Sequence, residues 1–392
     1  MKTVISYLLM QKKNRTSEIV EQTHERALLV AVDLGAYDVE ASLLELEELA
    51  KSAGAEVVAN VSQKRSGFDR RTLIGPGRLE EIREFAASND VNLLIYDHEL
   101  TSSQIRNIEA AAGIPAIDRT MLILDIFARR AFTHEGRLQV ELAQLRYRLP
   151  RLAGQGKTLS RLGGGIGTRG PGETKLETDR RHIRSRIQAL EKQLAKVEKH
   201  RDLLRARRRK DGVVAVAVVG YTNVGKSTLL NKLTDAGVLA EDMLFATLDP
   251  VARALSLPDR RRVMLVDTVG LVRRLPHGLV KAFHSTLEEA ALADLILILC
   301  DAGSQDAEEQ IQVAEDVLLE LGAADTPRLI VRNKCDLLPL SDPRACARHE
   351  INISAKTGEG LPALLERIAA SLPAPRVHEP YTPGRWDRGE SL

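Results

Sequence analysis

A glycine-rich segment at residues 220–228 has the residue types and the spacing needed to bind the phosphates of a nucleotide. It reads Gly-Tyr-Thr-Asn-Val-Gly-Lys-Ser-Thr and fits the GxxxxGK[ST] pattern of a phosphate-binding loop. The glycines let backbone N–H groups curl around the α- and β-phosphates, Lys226 reaches the β- and γ-phosphates, and the Ser227 hydroxyl ligates Mg²⁺. An apolar, β-branched stretch precedes the segment and a helical stretch follows it, which disfavours the alternative of a chance glycine-rich turn.

Two later segments select the base and complete the metal site. Residues 267–270, Asp-Thr-Val-Gly, follow a second apolar stretch; here Asp267 can hold Mg²⁺ through water, and the Gly270 N–H can approach a γ-phosphate. Residues 333–336, Asn-Lys-Cys-Asp, follow a third apolar stretch. A buried carboxylate at Asp336 would accept two hydrogen bonds from guanine and would reject adenine, which lacks that donor pair.

Residues 354–356, Ser-Ala-Lys, supply a further base-binding loop. Because all four segments occur in this order, each at the end of a predicted strand, they indicate a GTPase. The predicted phosphate-binding residues are Gly220, Tyr221, Thr222, Asn223, Val224, Gly225, Lys226, Ser227, Thr228 and Gly270. The predicted guanine-binding residues are Asn333, Lys334, Asp336, Ser354, Ala355 and Lys356. The predicted metal ligands are Ser227, Thr247 (in residues 243–250, where switch I belongs) and, through water, Asp267.

The position after Asp-x-x-Gly carries no group able to position water. Most Ras-like GTPases have a Gln there, which orients the attacking water, whereas this sequence has Leu271. We therefore expect Leu271 to be non-catalytic and the free enzyme to turn over slowly, and we assign no catalytic residue. His277 and His284 lie downstream and are candidates to replace the Gln, but the favoured interpretation is that each is structural or exposed. Asn223 is a candidate ligand for a monovalent cation near the phosphates.

The composition is that of an ordinary globular chain. At 392 residues, two or three domains are expected, and 56 Lys and Arg against 54 Asp and Glu require any nucleic-acid surface to be local. Aromatic residues, at 3%, are too scarce for base-stacking platforms, and three irregularly spaced Cys indicate neither a disulfide framework nor a zinc site. No targeting signal is found, and no apolar run approaches the ~20 residues of a membrane span. A cytoplasmic protein, monomeric when free, is expected.

The elements that must position these segments follow from periodicity. Residues 26–131 alternate short apolar strands with amphipathic helices, which predicts a small parallel α/β domain. Residues 212–373 are predicted to form the GTPase domain, with a Ras-like, mostly parallel six-stranded sheet. Residues 75–77, Gly-Pro-Gly, are interpreted as a strand-to-helix turn rather than an anion site. Residues 1–25 are expected to be a flexible extension, and residues 374–392, with three Pro, an extended or disordered tail.

Residues 132–211 are predicted to form an antiparallel helical hairpin that projects from the body. Its first helix has Leu at helical spacing and is expected to stop at Pro150, before a glycine-rich loop at residues 151–174. The second helix, residues 178–208, has a coiled-coil seam of about three heptads. The seam consists of Ile183, Ile187, Leu190, Leu194, Val197 and Leu204.

Positive charge collects on this hairpin. Residues 175–210 contain fourteen Lys and Arg and five Asp and Glu, a local net charge of +9. This one-sided excess beside a basic glycine-rich loop favours phosphate binding, and a tip without aromatic residues suits folded RNA. The alternative is a solvated face on an exposed coiled coil. The candidate RNA contacts are Arg161, Arg169, Arg205, Arg207 and Arg208.

The combination resembles the HflX family of GTPases, part of the translation-associated P-loop group near Obg, over residues 27–372. One segment that carries the resemblance reads Gly-Pro-Gly-Glu-Thr-Lys-Leu-Glu-Thr-Asp-Arg-Arg, at residues 170–181. The others are residues 72–82, 118–120, 124–130, 144–152, 245–250 and 267–277. Lys175 stands where the family usually has Gln, and Leu271 where it usually has Phe. The small extra C-terminal domain of many relatives is also not expected, since the sequence ends soon after the GTPase domain.

The resemblance implies a factor that binds GTP or GDP with Mg²⁺, binds the large ribosomal subunit mainly through rRNA, and splits stalled or idle ribosomes. It also implies that the hairpin loop reaches toward the peptidyl transferase centre. A second class of function stays open: a GTP-dependent switch that acts on a non-ribosomal protein or a membrane-bound effector through its coiled-coil hairpin. Binding that weakens steeply with ionic strength would distinguish RNA from a protein partner.

Overall fold

The computed structural model describes residues 24–152, 171–210, 212–234, 244–245, 251–274, 290–338 and 351–373. These residues form two β-sheets with flanking helices. In the sequence, two long helices connect the first sheet to the second. The α/β class expected from the sequence is confirmed. The predictions for residues 1–23, 153–170 and 374–392 lie outside the described residues. Within the described part of the chain, no helix is long and apolar enough to cross a membrane.

The N-terminal domain, residues 24–130, is a four-stranded parallel sheet in the order β2-β1-β3-β4. Alternate residues of β1 enter two separate cores, one formed with α1 and α4 and the other with α2 and α3. A central strand covered on both faces must be apolar where it is covered, as residues 27–32 of β1 are. The elements are β1 Glu25–Asp33, α1 Val39–Ser52, β2 Ala55–Lys64, α2 Pro76–Ser88, β3 Leu93–Tyr96, α3 Ser102–Ala112, β4 Ala116–Asp118 and α4 Arg119–Arg130.

Local caps fix where the helices of this domain begin. The Asp38 side chain accepts the N–H groups of Glu40 and Ala41 at the start of α1. Gly75 is the N-cap of α2, and its own N–H donates to the side chain of Gln63 at 2.9 Å. The Gly-Pro-Gly segment is thus a strand-to-helix connection, as the sequence predicts.

Two long helices, α5 (His134–Arg151) and α6 (Pro171–Lys210), form the hairpin. Both inner boundaries differ from the sequence prediction. Helix α5 continues through Pro150 to Arg151, so the disruption caused by the proline falls in its last turn, where little helix remains to be broken. Helix α6 begins at Pro171 rather than at residue 178, because proline is tolerated in a first turn whose N–H groups have no intrahelical partner.

Helix α5 packs along the N-terminal domain and therefore does not project from it, whereas projection of α6 beyond α5 stays a prediction. One face of α5 contributes Val140 and Ala143 to the core formed with α1 and α4. Another face contributes Leu138 and Leu142, which pack against Leu190 of α6. The helix therefore carries two apolar stripes, and the leucine spacing reveals only the one that faces α6.

The seam between the two helices is shorter than the sequence predicts. Leu204 is 41% exposed, whereas Leu190 is fully buried. The seam ends because α5 is shorter than α6. Helix α5 begins at His134, and Glu135, in its first turn, forms an ion pair with Arg201 of α6. Beyond that point α6 has no α5 residue to pack against.

The GTPase domain has a six-stranded sheet in the order β10-β9-β8-β5-β7-β6, in which only β6 is antiparallel to its neighbour. The predicted mostly parallel six-stranded sheet is confirmed. Residues at the carboxyl ends of β5, β7, β8 and β9 meet at one edge, where open α/β sheets bind ligands. The elements are β5 Val214–Gly220, α7 Lys226–Thr234, β6 Val251–Ser256, β7 Arg262–Asp267, β8 Leu295–Asp301, α8 Ala307–Glu320, β9 Arg328–Asn333, β10 Ile351–Asn352 and α9 Leu361–Ser371.

Candidate nucleotide-binding site

The loop between β5 and α7 has the tight path that its glycines allow. A Cβ added to Gly220 would lie 2.2 Å from the backbone oxygen of Leu299 in the neighbouring strand β8. Gly225 has a φ of +93°, and a Cβ there would lie 2.4 Å from the side-chain nitrogen of Asn333. Only glycine fits these two positions, so the first and sixth residues of the motif are required by packing as well as by phosphate binding.

Lys226 lies across the inside of this loop. Its Nζ donates to the backbone oxygens of Gly220 at 3.0 Å and Tyr221 at 2.6 Å. Burial lowers the pKa of Lys226 to about 8, and the nearby Asp267 carboxylate opposes the shift. The ammonium is therefore held in place within the loop and remains charged at neutral pH, as an electrostatic contact to phosphates requires.

The residues predicted to hold Mg²⁺ fit a hard cation as far as the structure describes them. The Ser227 hydroxyl donates to Asp267 Oδ2 at 2.9 Å, so the end of β7 brings a carboxylate to the start of α7. Asp267 is fully buried, and the next residue, Thr268, is fixed by a hydrogen bond to Val218 O at 2.7 Å. A hydroxyl and a carboxylate oxygen together are ligands that Mg²⁺ accepts. Thr247 lies outside the described residues.

Asn333 ties the predicted base loop to the phosphate loop. Its Nδ2 donates to Val224 O at 2.7 Å, and its Oδ1 accepts the Ala355 N–H at 2.8 Å. The buried Ser354 closes the loop by accepting the N–H of Thr357 at 3.1 Å. The sequence predicts only a guanine contact for Asn333, whereas in the structure its side chain also holds the phosphate loop and the 354–356 loop together.

The remaining predicted base residues lie at the open side of the site. Asp336 is in a short 3₁₀ turn, Cys335–Leu337, and is exposed, so the buried carboxylate expected from the sequence is not found. The turn follows the end of β9, where the sheet edge is open to solvent. Lys334 adopts a left-handed φ of +65°, and its Nζ pairs with Asp301 at 2.9 Å. Lys356 is exposed.

The segment after β7 lies against the phosphate loop. A Cβ on Gly270 would lie 2.5 Å from Thr222 Cγ2 and 3.2 Å from Lys226 Nζ, so a side chain is excluded here. The Leu271 N–H donates to Gly220 O at 3.0 Å, and Leu271 O accepts the Thr222 N–H at 2.8 Å. The Leu271 side chain is buried in the apolar core. It therefore contributes to packing and offers no hydrogen-bonding group to an attacking water.

Several predicted residues cannot be placed. Arg161, Arg169, His277 and His284 lie outside the described residues, and the side chains of Arg205 and Arg208 are likewise not described. Arg207 is exposed on α6. Asn223, the candidate cation ligand, is exposed and has a left-handed φ of +62°.

Sequence reasoning missed residues that only the strand order brings to the site. Asp301 ends β8 and meets Lys334 because β8 and β9 are neighbours in the sheet. No spacing along the chain signals that pairing, although an Asp directly after a buried strand is the one cue available. Arg273 and Arg274 follow the Asp-x-x-Gly segment and contact the N-terminal domain, which no motif signals.

A phosphate loop at the edge of a mostly parallel sheet, with Asp-x-x-Gly and Asn-Lys-x-Asp at neighbouring strand ends, defines a P-loop GTPase. Three family models match the chain: a GTP-binding GTPase N-terminal region at residues 40–128, a GTP-binding GTPase middle region at 130–208, and a 50S ribosome-binding GTPase at 215–334. A GTPase HflX from Caldanaerobacter subterraneus is 55% identical over 94% of this chain and 86% of its own length. The Escherichia coli GTPase HflX is 43% identical over 92% and 87%.

The chain therefore belongs to the HflX family of GTPases and hydrolyses GTP. A crystal structure of SsGBP in complex with GDP has the same overall fold, with a TM-score of 0.50 and 24% identity. That likeness covers 88% of this chain and 98% of the other.

Proposed function

We propose that this GTPase binds the large ribosomal subunit and dissociates stalled or idle ribosomes in the cytoplasm. GTP binding drives association, and hydrolysis stimulated by the ribosome drives release. The family model that matches residues 215–334 describes a 50S ribosome-binding GTPase, which supports this partner. The observation that carries the proposal is the basic surface of α6, next to the glycine-rich loop.

The positive charge of α6 is exposed along the helix. Two of its arginines are engaged with α5, since Arg186 pairs with Glu141 at 2.7 Å and Arg201 pairs with Glu135. The other cations keep the local charge strongly positive, and solvated charges on one face attract a phosphate backbone. Exposed examples are Arg181, Arg184, Lys192, Lys196 and Lys199.

The nucleotide site supplies the switch. Lys226 and the N–H groups of the loop would hold the phosphates, Asp336 and the loop at 354–356 would hold guanine, and Ser227, Asp267 and Thr247 would hold Mg²⁺. The bound ion would neutralise charge on the β- and γ-phosphate oxygens. Because Leu271 is buried in the core, it cannot orient water. We assign that function to groups ordered or supplied by the ribosome, as an activating protein does for other GTPases.

Cosedimentation with purified large subunits tests the proposal. With a non-hydrolysable GTP analogue the protein should pellet with the subunits, and with GDP it should largely stay in solution. Substituting Arg161 and Arg169, or Arg205, Arg207 and Arg208, with alanine should weaken binding and flatten its dependence on salt, by about 0.7–0.9 in the logarithmic slope per lost phosphate contact.

The matched control is Arg78→Ala, which removes a partly exposed arginine of the N-terminal domain, far from α6 in the sequence. Nucleotide affinity should be unchanged in all these variants. If cosedimentation survives all five hairpin substitutions, the basic face is only a solvated surface. If the protein fails to bind subunits with either nucleotide, the non-ribosomal effector is the better account.

A further inference from the structure

The buried carboxylate of Asp118 accepts hydrogen bonds from three separate parts of the chain. Asp118 ends β4 and caps α4, where its Oδ1 accepts the Met121 N–H at 2.9 Å. Its Oδ2 accepts the Leu100 N–H at 3.0 Å, from the segment between β3 and α3. The same oxygen accepts the Tyr147 hydroxyl and, at 3.1 Å, Arg151 Nη2, both from the end of α5. Since Asp118 is fully buried, these hydrogen bonds are shielded from water.

Arg151 is held at the same point by several further contacts. Its guanidinium lies over the Tyr147 ring, 3.3 Å from the ring centre, and donates to Leu100 O at 2.8 Å and to Tyr147 O at 3.0 Å. Burial raises the pKa of the Tyr147 hydroxyl, and the neighbouring Asp118 charge raises it further. The hydroxyl therefore stays protonated and donates to the carboxylate while it accepts from Arg151. A planar fork with several donors suits this arrangement, which a single ammonium group could not reproduce.

These contacts lie where the helix is least able to support itself. Pro150 is inside α5 and removes one backbone hydrogen bond from its last turn. None of the described residues 148–152 belongs to one of the apolar cores, whereas Ala143, earlier in the helix, does. The side-chain contacts of Tyr147 and Arg151 therefore hold the end of α5 against the N-terminal domain, directly before the glycine-rich loop.

We infer that Asp118, Tyr147 and Arg151 are positioning residues for RNA binding: they fix the place and direction in which the chain leaves α5 for the glycine-rich loop. The inference rests on the proposed function, because arginines of that loop are among the candidate contacts to the large subunit. A segment whose start is fixed loses less conformational freedom when it binds the phosphates of a folded RNA, so its contacts yield a higher affinity. We refer to these three residues as the α5 anchor.

Tyr147→Phe tests the α5 anchor with the smallest change. It removes only the hydroxyl, keeps the ring beneath Arg151, and spares the cap of α4, which Asp118→Asn would disturb. Hydrogen exchange of residues 144–152, measured by mass spectrometry on the free full chain, should become about tenfold faster, because the variant loses a hydrogen bond to a charged group. Tyr96→Phe is the matched control, since Tyr96 is fully buried and its hydroxyl has no hydrogen-bond partner among the described residues. Exchange that is unchanged in both variants would overturn the inference.

Cosedimentation with large subunits tests whether the α5 anchor acts through the loop. With a non-hydrolysable GTP analogue, Tyr147→Phe should bind subunits about three- to tenfold more weakly, with unchanged nucleotide affinity. In a chain that already carries Arg161→Ala and Arg169→Ala, the same substitution should cause no more than about a twofold further loss, because the contacts to be positioned are gone. An equal fold-loss in both backgrounds would mean that Tyr147 acts only through stability, and it would overturn the inference.

Arg151→Lys separates position from charge. It keeps a cation beside Asp118 but cannot reach all the acceptors that the planar fork joins, so it should weaken subunit binding and speed exchange as Tyr147→Phe does. Retention of both properties in Arg151→Lys would contradict the inference. If the unmodified protein binds no subunits, the proposed function fails, and hydrogen exchange alone decides whether the α5 anchor holds the helix. If the unmodified protein binds and Tyr147→Phe binds equally tightly, the proposed function stands and the inference fails.

Discussion

We propose that selection of the base depends on Asp336. It is exposed in its 3₁₀ turn, so both carboxylate oxygens are open to a ligand. Asp336→Asn should lower GDP affinity on the order of 10²- to 10⁴-fold, because two hydrogen bonds to a charged acceptor contribute about 1.5–3 kcal/mol each. Xanthine nucleotides should be preferred instead, since the amide can donate to their 2-oxo group.

Competition between GDP and XDP measures this change. The control is Asp325→Asn, which alters an exposed aspartate of the same domain and should leave selectivity intact. Unchanged guanine selectivity in Asp336→Asn would remove this residue from the base site.

Leu271 occupies the position of the water-orienting Gln of other GTPases but contributes to packing instead. Its backbone pairs with the phosphate loop, and its side chain lies in the apolar core. Leu271→Gln should therefore destabilise the protein by about 1–3 kcal/mol, the cost of burying an amide without partners. Leu271→Met, which conserves volume, should cost less than about 1.5 kcal/mol. Denaturant unfolding compares the two. Equal stability of both variants would place the side chain outside the core.

His98 should make the N-terminal domain sensitive to acid. Burial lowers its pKa from 6.5, although the Asp97 charge and a hydrogen bond with the Val32 backbone oppose the shift. The unfolded chain therefore binds the proton more readily than the folded one. The stability contributed is fully present above about pH 6.5 and is lost as the pH falls toward the folded pKa.

Thermal unfolding between pH 5 and 8 should show this loss in the unmodified protein. His98→Gln, which cannot titrate, should flatten the dependence, whereas His182→Gln, on the exposed face of α6, should retain it. The same slope in all three proteins would exclude His98 as the cause.

At the scale of elements, Leu190 holds the hairpin together. It is fully buried between α5 and α6, next to Leu138 and Leu142. Leu190→Ala should cost about 2–5 kcal/mol through lost burial and the cavity left behind. Leu203→Ala is a control on the same helix, because Leu203 is 70% exposed and should change stability by less than about 0.5 kcal/mol. Similar losses in both variants, measured by chemical denaturation, would contradict this packing.

The sequence predicts elements well where one face is buried and poorly where several are. The parallel strands have short apolar runs and are found near those runs, whereas the antiparallel edge strand β6, Val251–Ser256, has no such run and is not predicted. No element is predicted at residues 119–130, where α4 lies, because Leu122, Ile123 and Leu124 are consecutive and all buried. The helical period of α4 is present, but these consecutive apolar residues obscure it in the sequence. The second stripe of α5 is hidden for a related reason: its partner residues are distant in the chain.

At the scale of the whole molecule, motifs identify the nucleotide site but not its connections. The P-loop and the two aspartate-containing segments could be located because phosphate and base chemistry fix their residue types. The contacts from Arg273 and Arg274 to Glu45 and Asp97 span more than 170 positions of the chain. Such contacts depend on how two domains pack, which spacing along one chain does not encode. They connect the N-terminal domain to the segment that follows Asp-x-x-Gly in the GTPase domain.

In the proposed function, the ribosome activates a GTPase in which Leu271 occupies the position of the water-orienting Gln. Single-turnover GTP hydrolysis, with enzyme in excess and with or without purified large subunits, tests this most directly. The free enzyme should be slow, and large subunits should accelerate it by about 10²-fold or more, since a charge-stabilising arginine supplied to other GTPases contributes about 10³–10⁵. A fast rate for the free enzyme, or no acceleration by subunits at concentrations where the two cosediment, would contradict the account.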